Sequence, residues 1–450
     1  MTKTKEKKLP TIGISTLGCP KNLVDTENIV GILHAAGYQI TANHDRADIS
    51  LVNTCTFIKD SNDESRGVIK DLSDKGQKLI ITGCMAQRFK GELFNEFPLT
   101  QAVVGTGNIK DILDVVKMVT QNLNQKKESR IIRADEIPMA VADSSVPRLN
   151  TQIGPSAYLK ISEGCDHRCT FCIIPYLRGD MKSRTIEDIV KESQALVRNG
   201  VKEIVLVSQD SSAYGTDIYK RKALADLLRE VADKSGAPWI RLMYAYPQQL
   251  TEEMLEVIRD KKNIVNYIDI PLQHASKKIL KSMLRPPTVR DTVELIRNVI
   301  PDCTIRTTFI VGFPGEQDED FNELYNFVKE SRFDRVGVFT YSQEEGTPAC
   351  NFENQVPEEI KQERKEKLMF LQQKISLDKN KEFIEKELDM LVEYIEDNVR
   401  VVGRSYRDAP EIDGQLYIDL KSHGKTPLPG EFVKVKVTGC DEYDLFCKIR

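Results

Sequence analysis

The sequence predicts an α/β chain in three parts: an N-terminal parallel-sheet α/β domain, a central partial (βα) barrel and a small C-terminal β-barrel. Two patterns carry this reading. Apolar strand-like runs alternate with helical segments in two successive series, and both give way to a tail of short strands and turns. Length agrees, since 450 residues exceed one ordinary domain and suit about three.

The first series opens with "TIGIS" at Thr11, followed by "LVDTENIVGILHAAG" at helical spacing with Gly37 as its stop. "DISLVNT" and "KLIIT" repeat the strand pattern, which assigns residues 1–125 to a doubly wound domain. Residues 126–155, with "NQKKES", "DSSVP" and "IGP" in and around them, show little periodicity and read as a linker. The second series, "AYLKIS", "EIVLVS", "WIRLMY", "YIDIPL", "TIRTTFIVGF" and "RVGVFTY", gives six βα units within residues 156–385. A long charged helix, beginning "PEEIKQERKEKLMF", ends that segment, and residues 386–450 read as the small barrel.

Hydrophobic residues make up 40% and charged residues 29%, an ordinary globular composition that excludes fibrous and disordered classes. The basic start "MTKTKEKKLP" leads into a strand and not into a signal sequence, and no apolar run approaches the roughly 18 residues of a membrane span. A cytoplasmic protein without membrane contact is expected. Net charge is -4, so the chain as a whole lacks the basic balance of a phosphate-gripping protein. Ten cysteines in such a chain point to metal or redox chemistry more than to disulfides.

Three of them share the loop "SEGCDHRCTFCIIP": Cys165, Cys169 and Cys172. A zinc site would need His167 or a distant fourth ligand, and His167 stands two residues from Cys165, where joint ligation is strained. Three thiolates with an open fourth position suit a [4Fe-4S] cluster whose last iron binds a small molecule. The loop follows the first strand of the second series, at the mouth where α/β barrels keep their chemistry. A second triad, Cys19, Cys55 and Cys84, lies in the first domain, each cysteine just past a strand. Loops at the carboxyl ends of parallel strands converge, so these three also suit a cluster, although any one alone would read as a buried structural thiol. Cys303, Cys350, Cys440 and Cys447 show no such register and read as ordinary thiols. "FIVGFPGE" lacks the lysine of a phosphate loop.

The CxxxCxxC loop at a barrel mouth resembles the radical S-adenosylmethionine enzymes. With both triads, "PYLRGDMKSR", "PLQHAS", "LKSMLR" and "FIVGFPGE", the chain resembles their methylthiotransferase family from end to end. The resemblance implies two [4Fe-4S] clusters, S-adenosylmethionine and a C-terminal TRAM domain. It implies that one S-adenosylmethionine methylates a sulfur on the Cys19, Cys55 and Cys84 cluster. A second is cleaved at the Cys165, Cys169 and Cys172 cluster to the 5′-deoxyadenosyl radical, which removes the substrate hydrogen that methylthio replaces. Phe171 matches the family position near adenine, with loop packing as its other reading. Gly312, beside Gly315, suits a turn next to the cofactor, and Gln209 a cofactor or substrate contact; Asp210 is read equally as a turn residue. No catalytic residue is assigned beyond the cluster ligands.

"TLGCPKNLVDTE" and "SQDSSAYG" look like the class acting on an aspartate β-carbon of ribosomal protein uS12, met free or in the small subunit. The alternatives are a transfer RNA adenosine methylthiotransferase and a non-catalytic iron-sulfur sensor. The residues from Lys386 onward carry an excess of three acids, which suits a basic protein better than RNA. A reducing electron donor and a sulfur donor are implied partners.

Overall fold

The structure is a computed structural model that describes residues 9–135, 141–152, 154–420 and 426–450. The basic leader up to Lys8, Ile153 of "IGP", and Lys421 and Lys425 of the tail lie outside the described residues. By internal contacts the chain forms two compact units. One holds the chain up to Thr151 with Ser162–His167 and Cys172–Lys182; the other holds Gln152–Ile161, Arg168–Phe171 and Ser183–Arg450.

The first unit runs β1 (Thr11–Thr16), α1 (Pro20–Ala35), β2 (Gln39–Thr41), β3 (Ile49–Thr54), α2 (Lys59–Asp74) and β4 (Leu79–Gly83). It continues with α3 (Cys84–Phe89), α4 (Leu93–Glu96), β5 (Thr100–Val104), α5 (Ile112–Asn124) and β6 (Ile131–Arg133). The six strands stand in the order β2-β1-β3-β4-β5-β6, and every pairing is parallel. Strands β3, β4 and β5 are buried along their whole length, which is why they read as unbroken apolar runs and not as alternations.

The stretch read as a linker contributes β6, an edge strand of three residues paired to β5. It also packs on α1. Glu27 accepts bonds from Arg148 (2.9 Å and 2.6 Å) and from the Thr151 amide (2.8 Å), anchoring its far end.

The cysteine loop follows β7 (Ser156–Lys160) and includes β8 (Ser162–Glu163), α6 (Ile174–Arg178) and β9 (Lys182–Ser183). The second unit continues α7 (Ile186–Arg198), β10 (Glu203–Val207), α8 (Leu224–Lys234), β11 (Trp239–Leu242), α9 (Glu252–Asp260) and β12 (Ile264–Asp269). Then come α10 (Lys277–Ser282), α11 (Val289–Val299), β13 (Thr304–Val311), α12 (Asp318–Ser331), β14 (Arg335–Thr340) and α13 (Glu358–Lys381). Strands β7, β10, β11, β12, β13 and β14 stand side by side in that order, all parallel, as the open partial barrel the sequence predicts.

Strands β15 (Glu387–Glu396), β16 (Arg400–Arg404), β17 (Leu416–Asp419), β18 (Phe432–Cys440) and β19 (Leu445–Ile449) close a barrel in the order β15-β16-β17-β19-β18. Alternate residues such as Met390, Val392, Val401, Ile418, Val435 and Cys447 fill it. The segment between β16 and β17 seals the amino-terminal end of the parallel sheet. Arg404 reaches Glu203 at 2.5 Å, Arg241 donates to the Tyr406 carbonyl at 2.8 Å, Arg335 pairs with Asp408 at 2.5 Å, and Tyr267 donates to Asp413 at 2.6 Å. These charges are paired because isolated buried ions are expensive.

Candidate iron-sulfur and cofactor sites

In the first unit, Cys19 caps the start of α1, Cys55 follows β3, and Cys84 opens α3 directly after β4. Neighbouring β1, β3 and β4 end side by side, so the three thiols converge. They lie near enough to interact electrostatically: ionised Cys19 raises the Cys55 pKa, and Cys55 and Cys19 both raise that of Cys84.

The approach is close enough to require glycine. Gly83 has φ +91°, and a Cβ there would stand 2.6 Å from the Thr54 carbonyl oxygen. Gly18 has φ +90°, and a Cβ there would stand 2.6 Å from Cys55 Cβ. Ser65 fixes Cys55 by accepting from its amide (3.0 Å) and donating to its carbonyl (2.9 Å). Asn22 donates to the Leu17 carbonyl (2.9 Å) and the Thr54 carbonyl (3.0 Å), tying the Cys19 and Cys55 loops together.

The thiols are not equivalent. Burial is the largest influence on Cys19 and pushes its pKa up, but Lys21, Arg178 and the Asn22 and Lys21 amides outweigh it, leaving the thiol below its ordinary value. Burial pushes Cys84 up to about 12 and also raises Cys55. Cys84 packs with Ile173 and Leu177 of the segment after the CxxxCxxC loop. That contact brings α6 against the triad, and with it Arg178, a residue that sequence reasoning quoted but did not assign. Helix α1 gives a second sign of a site, since it buries Lys21, Asn22, Asp25, Thr26, Glu27 and Asn28 where a helix of an ordinary core would bury apolar groups.

The CxxxCxxC loop is shared between the two units, with Cys165 and Cys172 counted in the first and Cys169 in the second. In the first unit the Cys165 amide donates to the Gly179 carbonyl at 3.0 Å. In the second, Thr170 donates through its amide to Met283 (3.2 Å) and through its hydroxyl to Ser282 (2.8 Å), while its carbonyl accepts from Ala349 (2.9 Å). Among the described residues no group of three His, Cys, Asp or Glu side chains could hold a single metal ion. Cluster thiolates stand apart by the width of a cubane, and all-sulfur donor sets select iron-sulfur chemistry. Both triads fit such a cluster in donor chemistry.

The carboxyl ends of the second unit's strands carry the remaining predicted positions. Phe171 packs with Ile279, Met283, Phe313 and Tyr341, the contacts of the loop-packing reading. Gly312 has φ +72°; its amide donates to Glu316 (2.9 Å), and a Cβ would stand 3.0 Å from Lys361 Cβ. Asp210 accepts from the Ser212 amide (2.9 Å) and hydroxyl (2.6 Å), which gives it the turn role. Gln209 follows β10 and is partly buried.

Two positions escaped the sequence reading. Tyr244 (φ +62°) and Gln273 (φ +72°) are non-glycine residues in left-handed conformations just past β11 and β12, a strain that clusters at functional sites. The Tyr244 amide donates to Asp269 at 3.1 Å, and Gln273 is pinned through its backbone to Thr308 and Ile310 of β13. The Gln273 Oε1 is buried with no hydrogen-bond partner among the described residues. In "PLQHAS" and "FIVGFPGE", His274 Nε2 lies 3.3 Å from Glu316, which also binds Arg364 at 2.8 Å. Of the four remaining cysteines, Cys303 and Cys447 are buried and burial raises both, Cys447 to about 12.

This open parallel barrel with its CxxxCxxC loop defines a radical S-adenosylmethionine enzyme, and residues 159–328 match the Radical SAM superfamily. Residues 11–105 match Uncharacterized protein family UPF0004, and residues 384–449 match the TRAM domain. The protein is 45% identical over 444 residues to the ribosomal protein uS12 methylthiotransferase RimO of Trichormus variabilis, covering 98% of each chain. It is 46% identical over 443 residues to the protein of the same name from Rippkaea orientalis, covering 98% of this chain and 96% of that one. The radical S-adenosylmethionine methyltransferase TsrM of Kitasatospora setae, solved with cobalamin and a [4Fe-4S] cluster, shares the fold at 13% identity, with a TM-score of 0.56 over 76% of this chain and 77% of that one. The chain belongs to the family of ribosomal protein uS12 methylthiotransferases.

Proposed function

We infer that this protein transfers a methylthio group to ribosomal protein uS12, at the β-carbon of an aspartate. The observation that carries the reading is identity near 45% over almost the whole chain to proteins bearing that name. Against the transfer RNA alternative, the acidic excess of the C-terminal barrel favours a basic protein partner. The side chains of Arg404, Arg407, Asp408 and Asp413 are buried, two of each sign, so the excess holds for what remains.

Cys165, Cys169 and Cys172 would hold one [4Fe-4S] cluster and Cys19, Cys55 and Cys84 a second. When bound, the first supplies the electron that cleaves S-adenosylmethionine and the second carries the sulfur to be transferred. The residues around them have their own tasks. Asn22, Ser65 and the close backbone approach at Gly18 and Gly83 hold the donor thiols in one constellation. Gln273, rigid through β13 and with an uncommitted buried oxygen, is suited to position S-adenosylmethionine, with Gln209, Phe171 and Gly312 in the same set of strand-end loops. A reductant and a sulfur donor complete the reaction. No described helix is long and apolar enough to cross a membrane; an enzyme acting on a ribosomal protein is placed in the cytoplasm with its substrate.

The test offers purified uS12 and transfer RNA together to the anaerobically reconstituted enzyme with S-adenosylmethionine and a reductant. Mass spectrometry should find methylthio on a uS12 aspartate and none on adenosine. Modification of the RNA alone would reverse the assignment, and absence of 5′-deoxyadenosine would favour a sensor.

A further inference from the structure

We propose that Arg178 is a positioning residue that sets the charge of the N-terminal thiol site, which rests on the reading that Cys19, Cys55 and Cys84 hold an iron-sulfur cluster. Its side chain is 1% exposed. It donates to Asp25 at 3.2 Å, to Glu163 at 2.9 Å and to the Asn22 side-chain oxygen, the same oxygen that accepts from the Cys84 thiol at 4.0 Å. Asn22 in turn holds the Leu17 and Thr54 carbonyls, so Arg178 and Asn22 together reach all three cysteine loops. Arg178 comes from α6, six residues beyond Cys172, and the neighbouring Gly179 carbonyl accepts the Cys165 amide. One short segment thus carries ligands of one triad and the buried cation of the other.

The local charge balance depends on Arg178. Asp25 and Glu163 bring two negative charges, Arg178 and, on the Cys19 side, Lys21 two positive, so the four side chains sum to zero before any thiolate is counted and loss of Arg178 leaves the site anionic. Arginine stays charged at any working pH and its planar fork can serve several acceptors at once. A fixed buried cation bound to the same Asn22 oxygen as a cluster cysteine favours the more negative, reduced state of the cluster. Removing it disfavours that state.

The experiment uses the full-length chain with Cys165, Cys169 and Cys172 changed to alanine, so that any remaining cluster belongs to the N-terminal triad. A redox titration followed by electron paramagnetic resonance gives its midpoint. R178Q should lower the reduced-to-oxidised ratio at fixed potential by about tenfold, equal to 59 mV for a one-electron couple. R178K should stay near the parent, and D25N, which removes a negative charge, should shift the midpoint the opposite way. A purely structural role would give no such sign reversal. If R178Q fails to hold a cluster, R178K and D25N still decide: a parent-like midpoint in the first with a raised one in the second upholds the proposal. An unchanged midpoint in R178Q, or in D25N, overturns it. A parent chain that binds no iron overturns the cluster reading itself, before any Arg178 variant is compared.

Discussion

Changing Gly83 to alanine should disable the N-terminal site without touching a cysteine. Gly83 stands at φ +91° and ψ -155°, a region that is essentially glycine-only and costs another residue roughly 1–3 kcal/mol. The added methyl would also meet the Asn53 side-chain oxygen and the Thr54 carbonyl. Asn53 cannot swing away freely, because its amide donates to the Asn22 carbonyl and to Thr26, each at 2.9 Å. Breaking those buried bonds adds about 1–3 kcal/mol.

A loss of about 2 kcal/mol lowers the melting point of a unit this size by roughly 4–8 °C. The control is Gly76→Ala, where φ is +79° but nothing among the described residues lies within 4 Å of the new methyl. The assays are thermal unfolding of the cluster-free chain and iron per chain after anaerobic reconstitution. G83A should show the larger fall in melting temperature and lose the N-terminal iron, while G76A keeps it. Full iron in G83A, or equal damage from G76A, would refute the close-approach argument.

Reconstituted chain should hold about eight irons, falling to about half when either triad is changed to alanine; a starting value near four would remove the second cluster. Cys55→Ala should keep some S-adenosylmethionine cleavage but give no methylthiolated product, whereas Cys165→Ala should give neither. Burial raises the Glu203 pKa, but Arg404 and Arg241 outweigh it and hold the carboxyl at about 2, against an ordinary 4.5. A depressed carboxyl stabilises above its unfolded pKa, so this contribution is complete above about pH 4.5 and is lost as pH falls toward 2. Glu203→Gln should remove that acid dependence and cost about 3–5 kcal/mol, by leaving buried arginines underpaired; an unchanged acid limb would contradict it. Binding of uS12 should weaken with salt, because exposed charges are screened over about 8–10 Å near physiological ionic strength.

Deleting the barrel from Glu387 onward is a poor way to probe that binding. The sequence treats the tail as a separable module, but its β16–β17 segment supplies Arg404, Asp408 and Asp413 to buried ions of the parallel sheet. Truncation should therefore destabilise the sheet along with any docking surface. Reversing exposed acids on the barrel isolates the docking contribution.

The strands and cysteine positions are legible in the sequence because buried parallel strands read as apolar runs and cluster ligands follow them at fixed offsets. β6 is not legible, since a half-exposed edge strand of three residues has neither length nor periodicity. Arg178 is invisible for another reason. Its partner Asn22 lies 156 residues away, and nothing in "PYLRGDMKSR" tells a buried cation from a solvated one. The left-handed Tyr244 and Gln273 escape likewise, because their backbone is imposed by Asp269 and β13 and not by their own residue types. The tail's charge count sums exposed and buried groups alike, and only the fold separates Arg404, Arg407, Asp408 and Asp413 from the rest.

The most direct test of the whole account is mass spectrometry of uS12 from cells with and without this gene, with transfer RNA nucleosides measured in parallel. A methylthio group on one uS12 aspartate should vanish with the gene and return with the wild-type chain, but not with Cys55→Ala or Cys165→Ala. Unmodified uS12 in cells carrying the gene, or loss of methylthio-adenosine in its place, would contradict the account.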